Sequence, residues 1–308
     1  MMIALCSVHG SPGVTTLAVA LATHWPDTTR TRRMIAEIDP AGGDLAMRLH
    51  LPTTPGLASL AAAARRQPRP EIVWDHTQGL PGGARVLLAP PGSGHTRAAL
   101  HILAGAAHQL LPAAAREPDV VVLADCGRVD PGTQAEAIAR QADALVLLTG
   151  THGEDLAHTA ARLAELARWT PRSGLLLTGD GYPTAEVERE LGVPTIGRLP
   201  HDPATVATLT GHRPPPRVRR RRPGGLARHV AALARTLATP ASVAVASAAT
   251  AAVTTASAGA AAGQRRTADG TIAQPSRADL ARGRQQPPAG DLSRGGSPSS
   301  PTGPEPRT

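Results

Sequence analysis

Ser7-Val8-His9-Gly10-Ser11-Pro12-Gly13-Val14-Thr15-Thr16 runs from an apolar segment straight into Leu17-Ala18-Val19-Ala20-Leu21. A loop of small residues between a strand and a helix turns several backbone N–H groups toward one point. The helix terminus adds positive potential there, and this is how a phosphate is cradled. The segment therefore predicts a first strand over Met2–Val8, a turn, and a helix over Thr15–His24.

Outward from that loop, short apolar runs alternate with helical patterns up to about Leu209. Strands are expected at Met34–Asp39, Arg85–Ala89, Val120–Asp125, Ala144–Leu148, Leu175–Thr178 and Thr195–Leu199. Helices are expected between them, among others at Thr96–Leu111, Glu154–Arg168 and Thr184–Leu191. Alternation of this kind marks βα units around a parallel sheet. Val120-Val121-Val122-Leu123 is apolar without interruption, as a strand covered on both faces should be. The fold class is α/β: a doubly wound, mostly parallel sheet with helices on both faces.

Acidic residues close two of the strands. Glu37-Ile38-Asp39-Pro40-Ala41-Gly42-Gly43 ends the second, and Asp125-Cys126-Gly127 ends the run that follows Asp119. A threonine hydroxyl at a helix start and carboxylates at neighbouring strand ends are the hard oxygen ligands that Mg²⁺ shares with a triphosphate.

These motifs, taken in order, resemble the MinD/ParA family of P-loop ATPases. The family's loop reads K-G-G-x-G-K-T-T, its second strand ends in D-x-D-P, and its Walker B strand ends in D-x-P. The likeness spans residues 1–212 and includes Ala142-Asp143-Ala144-Leu145-Val146-Leu147, Leu191-Gly192-Val193-Pro194 and Leu199-Pro200-His201-Asp202. By resemblance, His9, Gly10, Ser11, Pro12, Gly13, Val14, Thr15 and Thr16 would hold the phosphates of ATP. Thr15 and Asp125 would hold Mg²⁺, and Asp39 would orient the attacking water. The family's active form is a nucleotide sandwich, so a homodimer is implied. Its work is spatial organisation: chromosome or plasmid partitioning, or the placing of division and secretion machinery.

The loop departs from the pattern at its charges. Val14 stands where the Walker lysine belongs, and His9 where the family has the lysine that reaches across the dimer. Val8 replaces the first glycine, Pro12 removes an N–H donor, and Thr178-Gly179-Asp180 stands in place of the base-contacting Asn. Loss of one positioned transition-state contact commonly costs about 10²–10³ in rate, so hydrolysis is expected to be impaired. Two alternatives stay open beside nucleotide binding. One is a scaffold of the CpaE/TadZ type, in which the loop is only a tight strand–helix turn. The other is a DNA-binding module acting through a basic tail.

Composition bears on each reading. All 32 basic residues are Arg, because the chain has no Lys, and this excludes Schiff-base chemistry and an ordinary P-loop lysine. Residues 1–212 hold 17 Arg against 20 acids, whereas residues 213–308 hold 15 Arg against 4. A polyanion, whether DNA or an anionic membrane, would therefore meet the tail first, at Arg217, Arg219, Arg220, Arg221 and Arg222. Residues 213–225 read as an Arg/Pro-rich linker and 226–238 as a terminal helix packed on the domain. Residues 239–308 read as a disordered low-complexity tail, poor in groups that could bury a core.

The remaining chemistry-bearing residues suggest packing. Cys6 and Cys126 read as buried reduced thiols of a cytoplasmic protein that works near the membrane or the nucleoid. The N-terminus carries no signal-peptide pattern. His101 and His108 lack metal-ligand spacing, no nucleophile motif occurs, and Ser93 in Gly92-Ser93-Gly94-His95 is expected near a helix cap. Trp25, Trp74 and Trp169 read as packing residues.

Overall fold

A computed structural model of the chain describes residues 1–105, 109–209 and 225–239. His108, the Arg217–Arg222 run, most of the 213–225 linker and the tail from 240 lie outside the described residues.

In chain order the elements are β1 (Met2–Ser7), α1 (Val14–His24), β2 (Arg32–Glu37), α2 (Leu45–Arg48), α3 (Leu57–Ala64), α4 (Ile72–Asp75) and β3 (Gln78–Gly79). There follow β4 (Arg85–Leu87), α5 (Ser93–Leu103), α6 (Leu110–Ala115), β5 (Val120–Arg128), α7 (Gln134–Ala139) and β6 (Ala144–Thr149). The described chain closes with α8 (Gly153–Leu166), β7 (Ser173–Thr178), α9 (Thr184–Leu191), β8 (Thr195–Leu199), α10 (Pro203–Leu209) and α11 (Gly225–Ala238).

The eight strands form one sheet in the order β3-β4-β2-β5-β1-β6-β7-β8. Every pairing is parallel except β3 with β4. The period of two along β1 separates two cores. Met2, Ala4 and Cys6 face a layer that holds Leu57, Leu100, Leu111, Ile138 and Trp169, from or beside the helices α3, α5, α6, α7 and α8. Ile3 and Leu5 face the other layer, with Leu17 and Leu21 of α1 and Val230 of α11. This is the doubly wound α/β sheet that the alternating pattern predicts.

Two expectations are corrected. The stretch expected as one helix over Thr96–Leu111 is two. The first ends at Leu103, where Gly105 N–H returns to the Ile102 carbonyl at 3.2 Å, and the next begins at Leu110. Glycine is a poor helix former, and the apolar spacing hid the break. The second strand stops at Glu37, short of Asp39, whose side chain turns back onto the Ala41 N–H at 2.8 Å. Ser93 opens α5 next to its N-cap Gly92, as expected of a residue near the helix cap, and no side chain caps the helix.

α11 packs on α1 and β8. Its stripe Leu226, Val230, Leu233, Ala234 and Leu237 is buried, and Arg172 donates to the Leu237 carbonyl at 3.1 Å near the helix C-terminus. Among the described residues no helix is long and apolar enough to cross a membrane.

Candidate functional site

The order of strands fixes where a ligand can sit. The chain leaves β1 toward β2 on one side and later crosses from β5 to β6 on the other, so β1 marks a reversal of direction. In open α/β sheets the crevice at the carboxyl ends of such strands is the binding region. The loop after β1, the turn after β2 and the end of β5 all open there. They line a cleft of about 800 Å³, within the usual range for small-molecule sites.

Within that cleft the loop presents a helix start. Gly13, in the left-handed region at φ 99°, is the N-cap of α1, and no side chain caps the helix or puts an acid in its first turn. The first N–H groups of a helix lack partners within it. Gly10, Ser11, Gly13, Val14, Thr15 and Thr16 line the cleft, and so does Asp39.

Asp125 lies one layer deeper, at the centre of the sheet, in register with Leu5 of β1 and Glu37 of β2. Burial pushes its carboxyl up to about 6, against hydrogen bonds from the Thr15 hydroxyl and the Gly127 N–H. The Asp39 carboxylate adds to that rise, and burial raises Asp39 in turn. Asp39 rests on the backbone of Gly127, where a Cβ would stand 1.7 Å from its Oδ2. The structure thus gathers Thr15, Asp39 and Asp125, three residues the sequence brings in from separate segments. A hydroxyl paired with a carboxylate is the donor set of a hard divalent cation, and Mg²⁺ fits it.

Two predicted loop residues stand apart from the cleft. His9 stacks on His158 of α8, with ring centroids 4.2 Å apart and planes 6° from parallel. Pro12 is half-buried, and neither Pro12 nor His9 lines the cleft. Val14 is only 6% exposed and belongs to the apolar layer with Leu17 and Leu21, so this loop position serves the core.

Sequence reasoning missed two groups. Glu37 is a buried carboxylate whose Oε1 accepts the N–H groups of Asp44 and Leu45, both at 2.9 Å, and whose Oε2 accepts that of Ala89 at 3.0 Å. It thereby fastens the turn after β2, and with it Asp39. Burial pushes its carboxyl up to about 7. The second group is three arginines, Arg48, Arg97 and Arg128, which line the cleft from α2, α5 and the end of β5. Arg128, three residues after Asp125, was within reach of a motif reading. The other two carry no sequence signal. Among the described residues, no cluster of three or more His, Cys, Asp or Glu could hold a metal.

No family model and no curated protein matches the sequence. Solved structures do match the fold. A ParA family ATPase from Chlorobium tepidum superposes with a TM-score of 0.60 at 18% identity, over 77% of this chain and 98% of that one. The cell division ATPase MinD of Pyrococcus furiosus gives 0.58 at 18%, over 77% and 97%. The septum site-determining protein MinD of Pyrococcus horikoshii, complexed with Mg-ADP, gives 0.60 at 15%, over 79% and 97%. The chain therefore has the fold of these ParA and MinD ATPases.

Proposed function

We propose that this chain is a MinD/ParA-type nucleotide-binding protein of spatial organisation, which positions DNA, a division site or a secretion apparatus. In this reading the cleft takes ATP with Mg²⁺. The observation that carries it is the pairing of the Thr15 hydroxyl with the buried Asp125 carboxylate beneath a glycine loop at the reversal point of the sheet. Thr15 and Asp125 would hold the metal, and the first N–H groups of α1 would hold phosphate oxygens. Asp39, held against Gly127, would position water. Hydrolysis is weak or absent, because Val14 brings no charge to the β and γ oxygens.

The test is calorimetric titration of ATP and ADP into the full chain, with Mg²⁺ and with EDTA. Micromolar, Mg²⁺-dependent binding supports the reading, and silence with both nucleotides overturns it. The nucleotide-bound form is expected to be a homodimer, read by light scattering as a doubling of mass.

A second reading, a nucleotide-free scaffold of the CpaE/TadZ type, is favoured by the burial of Val14 in the core. It predicts silence toward ATP together with a stable fold and partner binding that ignores nucleotide.

A further inference from the structure

We propose that Arg97, flanked by Arg48 and Arg128, supplies the positive charge that a polyphosphate needs in this cleft, in place of a loop lysine. The inference deepens the nucleotide reading and rests on it for the identity of the natural ligand.

A polyphosphate cannot be held by N–H groups alone without leaving most of its charge unopposed. The sequence contains no lysine, and Val14, which packs with the core at the floor of the cleft, brings no charge. The only strongly basic side chains in the sequence are guanidinium groups, and among the described residues three of them line the cleft. Two are already engaged. Arg48 contacts Asp44 at 2.7 Å and Arg128 contacts Asp130 at 3.1 Å. Arg97 is exposed, and among the described residues its side chain has neither an ion pair nor a hydrogen bond. A guanidinium without a counter-charge, in a cleft that also holds a helix N-terminus, is complementary to an anion. Its planar fork suits phosphate oxygens two at a time.

The backbone around Arg97 is held in a way that a random surface arginine does not require. Its neighbour Thr96 is fully buried and donates to the Pro90 carbonyl at 3.0 Å or that of Gly92 at 3.1 Å. Pro90 also accepts the Gly43 N–H at 3.1 Å, and Ala89 is bonded to Glu37. Gly42 packs so closely on Gly92 that a Cβ there would stand 2.5 Å from its nitrogen. The start of α5 is therefore clamped to the turn that carries Asp39, so Arg97 keeps a fixed place relative to the glycine loop.

The experiment titrates ATP with Mg²⁺, and separately inorganic tripolyphosphate, into the full chain and its variants. Salt of about 0.3 M screens the charges of the Arg-rich sequence beyond residue 212. Arg97→Gln is expected to weaken both ligands by about tenfold or more, the effect of losing a charge-assisted contact. Arg97→Lys, which keeps the charge, should recover most of that loss. Arg69→Gln, which removes the same charge outside the cleft, should bind within about twofold of the native chain. Equal affinity of Arg97→Gln and the native chain overturns the inference. Arg97-dependent binding of tripolyphosphate without any ATP binding sustains the inference and removes the nucleotide reading. Failure of the native chain to bind either anion overturns both.

Discussion

The Glu37 carboxylate accepts the backbone N–H of Ala89 at 3.0 Å, which bonds the end of β2 to the segment leading into α5. With the Asp44 and Leu45 N–H groups on its other oxygen, Glu37 ties together three parts of the site: the Asp39 turn, the α2 start and the approach to Arg97.

That position gives a pH dependence of known sign. Burial raises the Glu37 carboxyl from 4.5 to about 7, so between those values the folded chain keeps a proton that the unfolded chain has released. The contribution to stability is complete below about 4.5 and is lost as the pH rises through about 7. Its size is of the order of 3 kcal/mol. Glu37→Gln should flatten the slope of unfolding free energy over this range, measured in denaturant, and should itself cost about 1–3 kcal/mol because one N–H loses its acceptor. A variant with the native slope would show that another group titrates.

Val14→Lys puts a cation into the loop that leads into α1. The lysine must leave the apolar layer that Val14 fills, so the melting temperature should fall by the equivalent of about 1.5–3 kcal/mol. ATP affinity should rise about tenfold or more. If calorimetry shows no gain while the variant stays folded, the loop after β1 does not face the phosphates.

Thr15→Val separates the metal from the nucleotide. It removes the hydroxyl that pairs with Asp125 and leaves the helix N–H groups in place. ATP affinity in Mg²⁺ should drop about tenfold, to the level seen in EDTA, while affinity in EDTA stays unchanged. An equal loss under both conditions would point to damage to the loop rather than to a metal ligand.

α11 offers a test of the terminal helix as part of the domain. Val230 is fully buried between α11 and the sheet, so Val230→Asp should cost about 4 kcal/mol or more through an unpaired buried charge. Ala232→Asp, on the exposed face, should be nearly neutral in the same denaturant titration. Equal stability of the two variants would mean that the helix leaves the domain in solution.

The parts legible in the sequence were those with long or ordered signals. The β1, β5 and β6 strands announce themselves as unbroken apolar runs, and the glycine loop with Thr15, Asp39 and Asp125 follows from motif order. Helices as short as α2 and α4, with four residues each, complete barely one turn and leave no periodicity to read. The two-residue β3 is shorter still. Arg48 and Arg97 are surface-type residues in sequence, and only the crossing of separate βα units brings them to one cleft. Glu37 sat in view beside Asp39, yet its partners Asp44, Leu45 and Ala89 are set by the fold.

Cys6 and Cys126 lie on the adjacent strands β1 and β5, fully buried. Burial pushes the Cys6 thiol up to about 12 and raises Cys126 well above the ordinary range. Neither is a thiolate in the native state, so neither reacts with an alkylating reagent until the middle of the sheet parts. The chain thus carries its own timer for the rarest of its internal motions. Any molecule seated across the ends of these two strands would slow that timer in proportion to how tightly it is held.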